Sequence, residues 1–134
     1  MSKHVKLYSG SRKTAKATAN IQAGKGKIRI NKVPVELITP KVARDVIVTP
    51  LLLVGDLREK VDIDVKVKGG GFMSRSEAAA IAISRALVDW NKSSELKQSI
   101  LEYNKHLLVG DPRRTEPKKF GGRGPRRRKQ KSYR

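Results

Sequence analysis

The chain has 134 residues, of which 31 are Lys or Arg and 12 are Asp or Glu, so its formal net charge at pH 7 is +19. This length suits one compact domain, and so large a positive excess indicates a polyanionic partner. The absence of cysteine excludes disulfides, thiolate nucleophiles and cysteine-based zinc or iron–sulfur sites. The sequence contains no run of about 20 apolar residues, which is the length that a membrane-spanning helix needs. Nothing in it resembles a signal peptide either, so we expect a cytoplasmic protein.

Three strands are predicted at the start of the chain. Apolar and other side chains alternate at residues 5–8, which predicts a short first strand. The alternation at 14–22 is cleaner, with small apolar side chains on one face and polar ones on the other. Residues 24–26, Gly-Lys-Gly, are typical of a hairpin turn leading into a third strand at 27–31.

Two helices and a further strand are predicted next. The Thr-Pro pairs at 39–40 and 49–50 each combine an N-cap residue with proline at the first helical position. They predict a helix over 40–48 and a short second helix that ends at Gly55. Residues 61–68 alternate without exception between apolar and charged side chains, which predicts a strand.

The predicted globule closes with two more helices. A capping box at 74–77 indicates the start of a helix rich in alanine. The last helix is predicted over 94–108, and the helical spacing favours core positions for Trp90 and Tyr103 over a role in stacking on bases. This order of elements predicts an α+β fold, a two-layer sandwich in which a sheet of about four strands carries its helices on one face.

The positive charge is concentrated at the two ends of the sequence. Residues 1–35 carry nine basic side chains and no acidic one, residues 36–109 carry eleven basic and ten acidic ones, and residues 110–134 carry eleven basic and two acidic ones. We therefore divide the chain into a globular α+β domain, 1–109, whose basic first residues indicate a polyanionic partner such as RNA, and a long, extended basic C-terminal tail, 110–134. Rich in glycine and proline and poor in apolar residues, the tail is expected to become ordered only against phosphates.

The sequence shows no set of residues that would carry out catalysis or bind a metal. Gly69–Gly71 stand before a helix, where free amides suit a phosphate, but a tight turn that needs positive φ explains them equally well. Asp62 and Asp64 share a strand face, as a pair of catalytic carboxylates would. Lys66 and Lys68 stand beside them and Lys27 and Arg29 are on nearby strands, so cross-strand charge pairing is the preferred explanation. We expect no cofactor and no small-molecule substrate.

Several motifs resemble a known family. They are Tyr-Ser-Gly-Ser-Arg-Lys-Thr-Ala at 8–15, Gly-Lys-Gly-Lys-Ile-Arg-Ile-Asn at 24–31, the glycine-to-helix segment at 69–87, Asp-Pro-Arg-Arg-Thr-Glu-Pro-Lys-Lys at 111–119 and Gln-Lys-Ser-Tyr-Arg at 130–134. In this order they resemble the family of ribosomal protein S-nine of the small subunit. The ending is similar to the archaeal and eukaryotic branch of that family. The resemblance covers nearly the whole chain.

The resemblance implies a structural constituent of the head of the small ribosomal subunit that binds its rRNA and contacts neighbouring head proteins. It implies a fold like the second domain of ribosomal protein S-five, with a left-handed β-α-β crossover, although the right-handed form is the general rule. It also implies a tail that reaches the peptidyl-site tRNA, whose backbone would be contacted by Arg134 with Lys131 nearby. Arg75 departs from the family signature, which usually has glutamine there.

Lysine and arginine side chains bind structured RNA mainly through its phosphates. We therefore expect rRNA contacts from the basic residues of the first strands, the helix start and the tail: Arg12, Lys13, Lys16, Lys25, Lys27, Arg75, Arg113, Arg114, Lys118, Lys119, Arg123, Arg126, Arg127, Arg128 and Lys129. Two alternatives stay open. One is an RNA chaperone outside the ribosome, and the other is a small phosphotransferase that uses the turn at Gly69–Gly71.

Overall fold

A computed structural model of the chain describes residues 5–133, which contain five strands and four α-helices. The strands are β1 (Leu7–Arg12), β2 (Ala15–Ala23), β3 (Ile28–Ile30), β4 (Val33–Pro34) and β5 (Val61–Lys68). The helices are α1 (Lys41–Val54), α2 (Phe72–Asn91), α3 (Ser94–Tyr103) and α4 (His106–Val109), with 3-10 helices at Val35–Leu37 and Gly55–Lys60. None of the helices within residues 5–133 has both the length and the apolar character needed to cross a membrane.

The strands form one mixed sheet in the order β1-β2-β5-β3-β4. β2 lies antiparallel between β1 and β5, and β3 runs parallel to β5 on its other side. The α+β class is thus confirmed, with five strands rather than the predicted four. The predicted β2–β3 hairpin is wrong, because β5 inserts between these two strands. β3 and β5 are connected through α1, and the left-handed crossover of this unit stays a prediction.

A hairpin joins β3 to β4 instead. Its two turn residues, Asn31 and Lys32, have φ of 50° and 68°, as two-residue hairpin turns require. The side-chain amide of Asn31 also bonds to β5: its oxygen accepts from the Val67 amide at 2.9 Å and its nitrogen donates to the Val67 carbonyl at 3.1 Å. The pairing of β5 therefore continues past the last residue of β3.

One face of the sheet packs against α1 and α2. The buried side chains of this core come from alternate positions of the strands and from one stripe of each helix; they include Ala15, Ala17, Ala19, Ile47, Leu51, Val61, Ile63, Ile83 and Leu87. β1 approaches α2 so closely that a Cβ on Gly10 would lie 2.5 Å from the carbonyl oxygen of Ala78. The alanine-rich sequence of α2 permits this contact, because small side chains let helix and sheet backbones come together.

α1 is a single helix where two were predicted. Pro50 removes one backbone donor inside it. The helix nevertheless continues, because Ile47, Pro50 and Leu51 are buried on the stripe that faces the core. The predicted capping box of α2 is also wrong: this helix already begins at Phe72, and the Glu77 side chain bonds to Arg12 rather than to the helix start.

A second, smaller core joins α3 and α4 to the other helices. Its buried side chains are Ala80, Leu96, Ile100 and Leu107. The predicted core positions Trp90 and Tyr103 are wrong, since they are 42% and 60% exposed. The predicted helix over 94–108 breaks at Asn104, which is extended with φ of −161° and whose side-chain oxygen accepts from the His106 amide at 3.0 Å. α4 therefore starts in a new direction.

Candidate nucleic-acid interface

The glycine turn after β5 brings two distant parts of the chain together. Gly69 and Gly70 have φ of 77° and 68°, so the turn needs the left-handed backbone that glycine adopts. A Cβ on Gly69 would lie 2.7 Å from the carbonyl oxygen of Thr14, so the turn lies directly against the β1–β2 connection. Arg75, in the first turn of α2, donates from Nε to the Gly69 carbonyl at 3.0 Å. The turn thus places Arg75 beside the first strands.

Basic residues from three segments of the sequence meet at this point. The guanidinium of Arg114 donates to the carbonyl of Lys13, 101 residues away in sequence. Lys16 on β2 lies directly opposite Lys68 on β5. We call this cluster the basic end of the globule; it consists of Lys13, Lys16, Lys68, Arg75 and Arg114, all exposed. Four of the five are predicted rRNA contacts, and the fifth, Lys68, is not among those predictions.

Arg12 holds the first residues of the tail against the globule. Its side chain is only 14% exposed, and its Nε lies 2.8 Å from Glu77 Oε2 and 3.6 Å from Asp111 Oδ2. It also donates to the carbonyl of Arg113 at 3.2 Å, and the backbones of Arg12 and Asp111 form an isolated parallel bridge. The guanidinium of Arg12 is therefore engaged within the protein, where it fixes the point at which the tail leaves.

Asp111 is the centre of this attachment. The side chain of Arg113 donates to it at 2.6 Å, and the backbone amide of Arg113 does so at 3.1 Å. The hydrogen bond between the two side chains is the main reason why the pKa of the Asp111 carboxyl is well below its usual range. The same bond raises the pKa of Arg113. The carboxylate thus stays ionised at all neutral and moderately acidic pH values.

The rest of the tail doubles back on itself without forming a helix or strand over residues 112–133. The amide of Lys129 donates to the Gly121 carbonyl at 2.8 Å, which closes a loop. Arg126 forms a bidentate ion pair with Glu116, with N–O distances of 2.6 and 2.9 Å, and Arg128 donates to the Phe120 carbonyl at 3.2 Å. Together with Arg113, which pairs with Asp111, three of the predicted rRNA contacts therefore have partners inside the tail.

The remaining tail cations are exposed. Within residues 5–133, no hydrogen bond or ion pair involves the side chains of Lys118, Lys119, Arg123, Arg127, Lys129 and Lys131. Arg134, the predicted contact to tRNA, lies outside the described residues. Positive charges without a partner in the described chain therefore lie before, within and after the loop closed by Gly121 and Lys129.

Lys25 and Lys27 lie away from the basic end, beyond the opposite end of β2. Asp62 accepts hydrogen bonds from both of their backbone amides at 2.9 Å. These bonds, led by the amide of Lys27, lower the pKa of the Asp62 carboxyl. The predicted pairing of Asp64 with Arg29 is confirmed, at 3.1 Å, whereas Asp62 organises the loop backbone instead of pairing with the side chain of Lys27.

Three basic residues that the sequence did not single out have distinctive positions in the structure. Lys66 and Lys68 project from the outer face of β5; their outward alternation was visible, but the acidic residues of the same strand balanced them in the charge count. Arg85 donates to three carbonyls, those of Ser9, Leu108 and Val109, at 2.7–3.1 Å. It ties α2 to β1 and α4, and no pattern in the sequence distinguishes it from a surface arginine.

Comparison with known proteins identifies the family of this chain. The family described as ribosomal protein S9/S16 matches residues 10–134. The chain belongs to this family. It is 55% identical over 128 residues to the small ribosomal subunit protein uS9 of Desulfurococcus amylolyticus, covering 96% of this chain and 91% of the relative. It is 45% identical over 126 residues to the small ribosomal subunit protein uS9 of Methanothrix thermoacetophila, covering 94% and 96%.

Membership of this family makes the chain a structural ribosomal protein rather than an enzyme. The phosphotransferase alternative is therefore wrong. The glycine turn at Gly69–Gly71 has a structural explanation, since two of its residues adopt positive φ and pack against Thr14 and Ala15. The resemblance stated from the sequence motifs is confirmed.

Proposed function

We propose that this protein is a structural constituent of the small ribosomal subunit of the cytoplasmic ribosome, where it binds small-subunit rRNA. The observation that carries the proposal is the basic end, at which exposed cations from the first strands, β5, α2 and the tail converge beside the point where the tail leaves. Such a cluster suits closely spaced phosphates, because lysine supplies point charges and arginine supplies planar donors. Neighbouring head proteins are further partners in this proposal.

The tail is proposed to continue this contact into the RNA. Arg12 and Asp111 fix its starting direction on the globule, and the exposed cations that follow supply charge for the phosphates. In the ribosome, the tail is proposed to extend along RNA, with Lys131 and Arg134 contacting the backbone of the peptidyl-site tRNA. The family resemblance supports this contact, as does the position of Lys131 beyond the loop.

Salt-dependent binding to a small-subunit rRNA transcript tests the rRNA part of the proposal. Each phosphate contact contributes roughly 0.7–0.9 to the slope of log K against log salt. The triple variant K118Q/K119Q/R127Q removes three tail cations that have no partner within the described chain and should lower the slope by about 2–3. The matched triple K41Q/K60Q/K97Q removes the same charge from exposed residues outside the basic end and the tail.

The control triple should leave the slope nearly unchanged. Equal losses from both triples would mean that binding depends on net charge alone, which would contradict a specific tail contact. Sedimentation with small subunits in high salt separates a ribosomal constituent from a free RNA chaperone, because only the former stays bound.

A further inference from the structure

The outer face of the sheet carries an ordered array of hydroxyl and ammonium groups. In the antiparallel register of β1, β2 and β5, Ser11, Lys16 and Lys68 lie side by side in one row across the three strands. The next row contains Ser9, Thr18 and Lys66. All six side chains point away from the helices, because the intervening residues Ala15, Ala17, Val65 and Val67 are buried beneath α2. We call these two rows the outer sheet rows.

The pairing of Lys16 with Lys68 is unfavourable for the protein alone. Directly opposed residues on an antiparallel pair have Cβ atoms about 5 Å apart, and like charges there repel each other. Within residues 5–133, neither ammonium group has an acidic partner. Two opposed lysines in this position concentrate positive charge at one point on the sheet.

The acidic residues of β5 do not offset this charge. Asp64 lies on the same face but is already paired with Arg29 at 3.1 Å, and it stands four residues, about 13 Å, from Lys68. Asp62 is occupied by the backbone amides of Lys25 and Lys27. The positive charge of the Lys16–Lys68 end of the sheet is therefore not compensated by the acidic residues of β5.

The shape of the surface suits a nucleic-acid backbone. A shallow cavity of about 450 Å³ lies over the array, lined by Thr14, Lys16, Thr18, Lys66, Lys68 and Gly69. Serine, threonine and glycine leave room for a polyanion to approach the sheet, and hydroxyl groups donate hydrogen bonds to phosphate oxygens. No large apolar side chain lies within the two rows.

We propose that the outer sheet rows bind the phosphodiester backbone of rRNA, with one phosphate held between Lys16 and Lys68 and the next beside Lys66 and Thr18. Adjacent phosphates of a strand lie several ångströms apart, comparable with the spacing of residues i and i+2 along a β-strand. This site is a surface of the globule separate from the tail. It rests on the proposed rRNA-binding function and extends the contact of the basic end, through Lys16 and Lys68, onto the outer face of the sheet.

Lys68→Gln and Lys60→Gln provide a matched test, since Lys68 is the last residue of β5 and Lys60 is the residue immediately before its first. With a small-subunit rRNA transcript as probe, Lys68→Gln should weaken binding roughly tenfold and lower the salt slope by about 0.7–0.9. Lys60→Gln, with the same change in charge, should have little effect on either quantity. The free Lys68→Gln protein should melt at the same or a higher temperature in low salt, because the variant relieves the repulsion from Lys16.

A second measurement locates the RNA directly. The chain lacks cysteine, so the variants Ser11→Cys and Lys97→Cys each provide a unique site for tethered iron-EDTA. In reconstituted subunits, hydroxyl radicals from position 11 should cut rRNA strongly next to the outer sheet rows, and those from position 97 on α3 should cut it weakly or at other sites.

Three results would overturn the proposal: equal effects of Lys68→Gln and Lys60→Gln, a Lys68→Gln protein that melts at a lower temperature, or no rRNA cleavage from position 11. The last result would indicate that another protein covers this face. The tail triple K118Q/K119Q/R127Q separates this failure from failure of the rRNA-binding function, because its effect on the salt slope does not depend on the sheet.

Discussion

Arg12 and Lys16 are both basic and stand four residues apart, yet they face opposite sides of the sheet. Arg12 pairs with Ala15 across β1 and β2, on the face that packs against α2, and there it meets Glu77 and Asp111. Lys16 follows Ala15 on β2, so its side chain lies on the outer face of the sheet, opposite Lys68. The period of two along a strand thus decides which cations attach the tail and which remain available for RNA.

The charge of Asp111 should stabilise the folded protein in a pH-dependent way. Because pairing lowers its pKa in the folded state, its contribution is complete above the unfolded pKa of about 3.9 and is lost as the pH falls toward the folded value. Asp111→Asn should therefore melt at a lower temperature than the parent at pH 7. The difference should shrink as the pH falls below about 4, as measured by thermal unfolding of both proteins.

Asp56→Asn is the matched control for this prediction. Asp56 is exposed in the 3-10 helix after α1 and forms no ion pair within residues 5–133, so its substitution should leave the melting temperature nearly unchanged. A pH-independent difference between Asp111→Asn and the parent would show that the variant changes packing rather than charge. Faster amide exchange at Arg113 in Asp111→Asn would place the change at the start of the tail.

At the scale of elements, the alternation of apolar and polar residues predicted the strands that bury one face. β5 was predicted at 61–68 and observed there, and β2 was predicted within one residue of its bounds, because each buries one face and alternates regularly. The partner of β3 could not be predicted in this way, since its pairing with β5 is a contact between residues more than thirty positions apart. The two-residue strand β4 is too short to produce any alternation.

Close packing of β1 on α2 should make Gly10 intolerant of a side chain. A Cβ there would lie 2.5 Å from the Ala78 carbonyl oxygen and 2.7 Å from the Ala82 amide nitrogen, both backbone atoms of α2. Gly10→Ala should therefore cost about 1–3 kcal/mol of unfolding free energy in denaturant titration, as overpacking does. Gly124→Ala, whose Cβ would have an ordinary 3.7 Å contact in the tail, should leave this free energy unchanged.

At the scale of the whole molecule, the spatial distribution of charge differs from its distribution along the sequence. Residues 36–109 are nearly neutral, yet they contribute Lys66, Lys68 and Arg75 to surfaces that face RNA in our proposals. Their acidic neighbours are occupied by internal bonds, as Asp64 is by Arg29 and Glu77 by Arg12. A linear charge count could not show this, because it assigns every charge equal exposure.

The end of the tail should act separately from the rest of the molecule. Within the described chain, no hydrogen bond or ion pair joins residues 130–133 to the globule, and Tyr133 is 89% exposed. Deletion of residues 132–134 should therefore leave assembly of the small subunit intact, yet weaken tRNA in the peptidyl site several-fold through the loss of about one charge-assisted contact. Filter binding to reconstituted subunits should show the same loss for different tRNAs, because a backbone contact does not depend on base sequence.

A deletion of the same length that removes Gly122–Gly124 and keeps the terminus is the control. If truncated and full-length proteins hold tRNA equally well, the tail contacts rRNA alone.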